Sequence, residues 1–107
     1  MQKQPIVVFV TAPSNEVGRQ IAHALVEAKL AACVNILPAM QSIYTWEGAI
    51  LAQSEVLLVI KSMSDIFQDR LLPAVKALHP YKVPEIIALP IVNGLPAYLS
   101  WIDHATV

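Results

Sequence analysis

The stretch His79-Pro80-Tyr81-Lys82-Val83-Pro84-Glu85 sets an imidazole, a phenol, an ammonium and a carboxylate within seven residues. These groups can donate or accept hydrogen bonds, move protons or bind a metal. Copper and zinc favour imidazole and thiolate, so Cys33 and His79, with Glu85 or Glu55 as carboxylate partner, are the candidate metal donors. No two of them lie at a compact ligand spacing such as i, i+4, so a site has to be assembled by folding or between subunits. A second set, Lys61, Tyr81, Trp46 and Glu55, carries the groups of a ligand cleft: aromatic walls, an ammonium that attracts an anion, and a carboxylate.

Each of these residues also has a plainer role. His79 stands where a helix ends and its ring can meet the terminal carbonyls. Tyr81 and Trp46 suit interface anchors with a polar tip. Lys61 with Glu47 or Glu55 makes a solvated ion pair worth ~0–1 kcal/mol. Cys33, in the apolar "LAACVNI", fits a buried inert thiol, while His23 and His104 have only helical neighbours and read as surface residues. The chain has no glycine-rich phosphate loop, no G-x-S-x-G and no H-E-x-x-H, and it holds only three glycines. We expect no enzyme.

The elements that must position these groups follow from the apolar patterning. Residues 5–12, "PIVVFVTA", read as a strand buried on both faces. Ser14 caps a helix with Val17, Ile21, Leu25 and Ala28 at helical spacing, ending near Lys29. Residues 31–37 and 41–46 form strands on either side of a bend, and Glu47-Gly48 turns the chain into a long strand over 49–61. Ser64 and Asp65 cap a second helix whose Phe67, Leu71, Leu72, Val75 and Leu78 face the core, and Pro73 kinks or restarts it. The two prolines of "HPYKVPE" forbid a helix there and stiffen the approach to a strand at 85–91, and "LPAYLSWIDHA" closes as a short helix.

This order predicts one domain over residues 1–107: a ferredoxin-like βαββαβ sandwich of the α+β class, with a mainly antiparallel sheet and both helices on one face. A thirteen-residue strand spans ~43 Å at about 3.3 Å per residue, more than the roughly 34 Å expected of a domain this size, so the hairpin projects. Composition adds a reason for that arm to be received by a neighbour. Apolar residues make up 56% of the 107 and charged ones 14%, against roughly 45–50% and about 25% in an average soluble domain. The uncharged runs 30–46 and 86–102 are each 17 residues, broken by proline and short of the ~20 that span a membrane. The surplus therefore points to burial between copies of the chain. A net charge of −1 offers no footprint for nucleic acid, and a start without a secretory pattern leads us to expect a cytoplasmic protein.

"LAACVNILP", "SIYTWEG", "EVLLVIK", "HPYKVPEIIALPI" and "YLSWI" stand in the order and spacing of the CutA divalent-cation-tolerance family, which this sequence resembles over nearly its whole length. The resemblance implies a ferredoxin-like subunit, a compact homotrimer similar in architecture to the PII signalling proteins, and a link to copper and other divalent cations. Where some members carry a cysteine late in the first strand and a second histidine before "HPY", this chain has Val10 and Leu78. Two soft ligands are thereby missing. The leading expectation is a trimeric, non-enzymatic cation-tolerance protein that needs no cofactor and takes copper or another divalent metal at a subunit cleft. Its alternatives are a PII-like sensor in which Lys61 and Tyr81 bind a small anionic metabolite, and a stable interaction scaffold.

Overall fold

The computed structural model describes residues 3–107. Strand β1 runs Pro5–Ala12, helix α1 Asn15–Glu27, strands β2 and β3 Cys33–Trp46 and Ala49–Met63, helix α2 Leu72–Leu78, strand β4 Ile86–Pro90 and helix α3 Pro96–His104. The four strands form one sheet in the order β2-β3-β1-β4, antiparallel at every pairing described. This is the expected sandwich.

Residues paired across an antiparallel ladder share a face, so the registers sort the sheet. On one face lie Ile6, Val8, Val10 and Ala12 of β1 with Val56, Leu58 and Ile60 of β3, all buried together with Ile21 and Leu25 of α1, Leu71 just before α2, Val75 within it and Ile102 of α3. On the other lie Val7, Phe9 and Thr11, Leu57 and Val59, and Ile87 and Leu89. The residues of β1 there are only half-buried, and Ile87 and Leu89 are exposed by 50% and 44%. The expectation that β1 is buried on both faces is therefore corrected for the single chain: its helices cover one face and leave an apolar one bare.

Local chemistry explains the element ends. The hydroxyl of Ser14 accepts from the Val17 amide, as an N-cap should. After α1, Lys29 takes φ 59° and the Leu30 amide returns to the Leu25 carbonyl at 2.9 Å, a left-handed helix stop built without glycine. Pro38 and Ala39, the latter at φ 61°, form a bulge between Leu37 and Met40 within one continuous β2, where the sequence predicted two strands and a bend. Ser64 does not cap the second helix. Its hydroxyl accepts from the Gln4 amide at 2.9 Å, and a 3₁₀ turn and a π-helical turn over Phe67–Leu71 intervene before α2 begins. Pro73 then falls in the first turn of α2, where its missing amide is harmless, which is the predicted restart. Leu78, expected in the core, is 44% exposed at the end of that helix.

Beyond the bulge, β2 and β3 leave the core as a two-stranded arm, and the molecule measures 44 Å along its longest axis against 26 and 25 Å. Every residue from Glu47 to Ser54 is exposed. The turn at Glu47 and Gly48 uses positive φ at both residues, 51° and 82°, the geometry that matches a tight hairpin to strand twist. Among the described residues no helix is long and apolar enough to cross a membrane.

Candidate functional site

The rigid "HPYKVPE" corner brings His79 and Tyr81 to the end of β1. His79 is the residue after α2 and is buried, with 8% exposure. Its Nδ1 accepts from the Tyr81 amide at 3.1 Å, which leaves the proton on Nε2, and Nε2 donates to the Thr11 carbonyl at 2.7 Å. The ring holds the corner to β1 rather than meeting the carbonyls of its own helix. With both nitrogens engaged it presents no lone pair to a metal. Its face also packs on the Tyr81 ring, centroids 4.7 Å apart and tilted by 53°.

Tyr81 passes the linkage on. Its hydroxyl donates to Glu55 Oε2 at 2.7 Å, and Glu55 is 7% exposed. Burial, reinforced by the hydrogen bond to the adjacent carboxylate, raises the phenol well above its ordinary pKa. The chain of contacts thus runs from a β1 carbonyl through His79 and Tyr81 to a carboxylate on β3. It fixes three segments that are distant in sequence.

Glu55 and Tyr81 stand in an open cleft of about 690 Å³ between the arm and the corner. Tyr44 and Trp46 from β2, Lys82 and Glu85 from the corner also line it. Of the expected cleft residues, Trp46, Glu55 and Tyr81 come together here, joined by Glu85 from the expected metal set. Lys61 does not. It is six positions along β3 from Glu55, about 20 Å at about 3.3 Å per residue, and its ammonium donates to Asn35 Oδ1 rather than pairing with Glu47 or Glu55. Cys33 lies opposite Lys61 in the β2–β3 ladder, half-buried and unoxidised, with its sulfur 4.0 Å from Asn35 Oδ1. Cys33, His79 and Glu85 are therefore not gathered within one chain. Among the described residues no three His, Cys, Asp or Glu side chains are placed to hold a metal ion.

An antiparallel sheet with this long arm and corner is shared with known proteins. Residues 6–105 match the family described as CutA1 divalent ion tolerance protein. The chain belongs to the CutA family. The divalent-cation tolerance protein CutA of Thermus thermophilus is 53% identical over 100 residues, covering 94% of this chain and 96% of that one. A chloroplastic CutA protein of Arabidopsis thaliana is 48% identical over 101 residues, and there the chain spans 55% of the relative's length. Among solved structures, the Cut A1 protein of Thermus thermophilus superposes with a TM-score of 0.94 at 51% identity, covering 97% of this chain and 100% of that one. CutA1 from Oryza sativa gives 0.92 at 47%, covering 96% and 94%.

Three groups of this CutA-family site escaped the sequence reading. Tyr44 shares a sheet face with Trp46 two residues on, a period-two relation that could have revealed it. Lys82 lies inside the quoted motif yet was assigned no role. The Thr11 carbonyl carries no side-chain signal, and only the folded register exposes it.

Proposed function

We propose that this CutA-family chain works as a homotrimer in the cytoplasm, catalyses no reaction, and serves divalent-cation tolerance through a cleft that a neighbouring subunit completes. The observation that supports this best is the bare apolar sheet face continuous in the ladder with Glu55 and the projecting arm. A lone chain with Phe9 and Leu57 only half-buried, Ile87 and Leu89 exposed by 50% and 44%, and an arm with Ile43 and Ile50 exposed by 72% and 78% would aggregate. A second copy covering that face would also close over the cleft. A single free thiol suits the reducing cytoplasm.

For copper or another divalent ion, one chain offers two carboxylates in the cleft, Glu55 and Glu85, and a thiol, Cys33, elsewhere on the same sheet face. A complete donor set requires a contribution from the neighbour. The alternative of an anionic metabolite is less favoured, since Lys61 stands apart and the Tyr81 hydroxyl is directed at Glu55. The test is light scattering for mass, followed by calorimetric titration of the oligomer with copper. Three times the chain mass and saturable heat at micromolar metal, lost in Glu85→Gln or Cys33→Ser, are expected. A dispersed single chain refutes the assembly, and an oligomer with no saturable copper binding refutes the metal role.

A further inference from the structure

Glu55 has one oxygen left over. Tyr81 donates to Oε2, and among the described residues Oε1 has no hydrogen-bond partner. Among the described residues no fully buried side-chain oxygen lacks a partner, so Oε1 keeps some accessible surface, and Glu55 lines the cleft. A carboxylate that is 7% exposed, lines a cavity and keeps one oxygen unbonded is a strong site for a donor of positive charge. The remaining charges agree: Glu55 and Glu85 oppose only Lys82 among the cleft's lining groups. The rest of the wall is largely aromatic and apolar, with Ile43, Tyr44, Trp46, Leu51 and Val83, interrupted by the neutral polar Thr11, Ser42 and Gln53.

From this arrangement we infer that the cleft binds a small primary organic ammonium ion, its N–H groups on Glu55 Oε1 and its apolar body against Tyr44 and Trp46. The two halves of such a ligand match the two halves of the lining. The ammonium forms a charge-assisted hydrogen bond with the carboxylate and is attracted by aromatic faces. The hydrocarbon part displaces water from the rings. A bare divalent ion would use the carboxylate but not the aromatic walls, and an anion would meet two carboxylates. In the single chain, before a neighbour closes over it, the open cleft measures about 690 Å³, within the roughly 300–1,000 Å³ of small-molecule sites. Tyr81 acts here as a positioning residue: its hydroxyl, protonated at neutral pH, holds one carboxylate oxygen and leaves the other unbonded. This inference rests on the cleft being the ligand site and is independent of metal binding.

Calorimetric titration of the full chain with n-butylammonium, n-butanol and tetramethylammonium tests it, with the oligomer mass measured in the same buffer. Saturable binding of n-butylammonium is expected, with n-butanol weaker by at least about tenfold, because the neutral analogue lacks the charge-assisted bond. Tetramethylammonium, which has no N–H, is expected to bind more weakly than n-butylammonium as well. Glu55→Gln, shown folded by its thermal transition, should weaken n-butylammonium by at least about tenfold. Equal binding of n-butanol, unchanged binding by Glu55→Gln, or no saturation with n-butylammonium overturns the inference. Because the comparison of the three compounds uses only the unaltered protein, it decides the matter even where a variant unfolds. Copper binding without amine binding would leave the metal reading standing and this one refuted, and the reverse result separates them equally well.

Discussion

Replacing Tyr81 by phenylalanine removes one oxygen from the 2.7 Å bond to a carboxylate that is 7% exposed. Hydrogen bonds to a charged group contribute about 1.5–3 kcal/mol, and the loss falls near the upper part of that range when the acceptor stays buried. Tyr81→Phe should therefore cost about 2–3 kcal/mol. Glu55→Gln keeps an acceptor but removes its charge; since charge-assisted bonds are roughly twice as strong as neutral ones, it should cost about 1 kcal/mol. In the Glu55→Gln background the phenylalanine then removes only a neutral bond, about 1 kcal/mol, so the double-mutant cycle should show a coupling of about 1 kcal/mol or more. The raised Tyr81 pKa adds a pH signature. Above pH 10 the unfolded tyrosine loses its proton while the folded one keeps it, so the folded state binds more protons and stability falls as pH rises. Tyr81's contribution is complete below pH 10.0 and is lost as the pH climbs from there through the folded pKa. Urea unfolding at fixed chain concentration, at neutral pH and across the alkaline limb, measures all of this. Tyr81→Phe within about 0.5 kcal/mol of the parent, with no coupling to Glu55 and an identical alkaline limb, would show that the pair is a surface contact of no consequence.

His79→Ala removes the groups that satisfy the Thr11 carbonyl and the Tyr81 amide; a loss of about 2–4 kcal/mol is expected, and hydrogen exchange at the Tyr81 amide should accelerate markedly, whereas an unchanged exchange rate would mean that the ring does not hold the corner. Leu58→Ala, at a fully buried position between the sheet and α1, should cost about 2–5 kcal/mol in the same unfolding assay, and a much smaller value would place Leu58 outside the core. Gly48→Val puts a β-branched residue at φ 82° and should destabilise the arm by about 1–2 kcal/mol, seen as weakened β2–β3 amide protection near the tip. Ile50→Glu changes a side chain that is 78% exposed; it should leave unfolding of the isolated chain within about 0.5 kcal/mol yet weaken self-association by tenfold or more in sedimentation, and unaltered association would exclude the arm from the interface.

How much of the site was legible depended on how local each cause was. Proline fixes φ and lacks an amide, so the helix-to-strand corner at Pro80 and Pro84 and the restart at Pro73 could be read residue by residue. The Leu37–Met40 bulge was less legible: Pro38 announced an interruption, but whether β2 broke or merely bulged depended on pairing with β3, far along the chain. Glu55 looked like half of a solvent ion pair because its neighbours in sequence are strand residues with no partner for it; the Tyr81 hydroxyl that claims it lies 26 residues away. Lys61 was misplaced for the same reason. It shares the sheet face with Glu55, but a strand's rise per residue carries it to the opposite end.

By itself the sequence determined the order of the elements, the core-facing stripe of α1 and the stiffness of the corner. All of these follow from side-chain periodicity and from dihedral restrictions acting within a few residues. Tertiary structure alone decided that both His79 nitrogens are engaged, that Glu55 is held by Tyr81 with one oxygen free, and that Cys33 and Lys61 stand apart from the cleft. Those outcomes depend on strand order and register, which bring together hydrogen-bonding groups separated by 26 and 68 residues and so cannot be read from any local pattern.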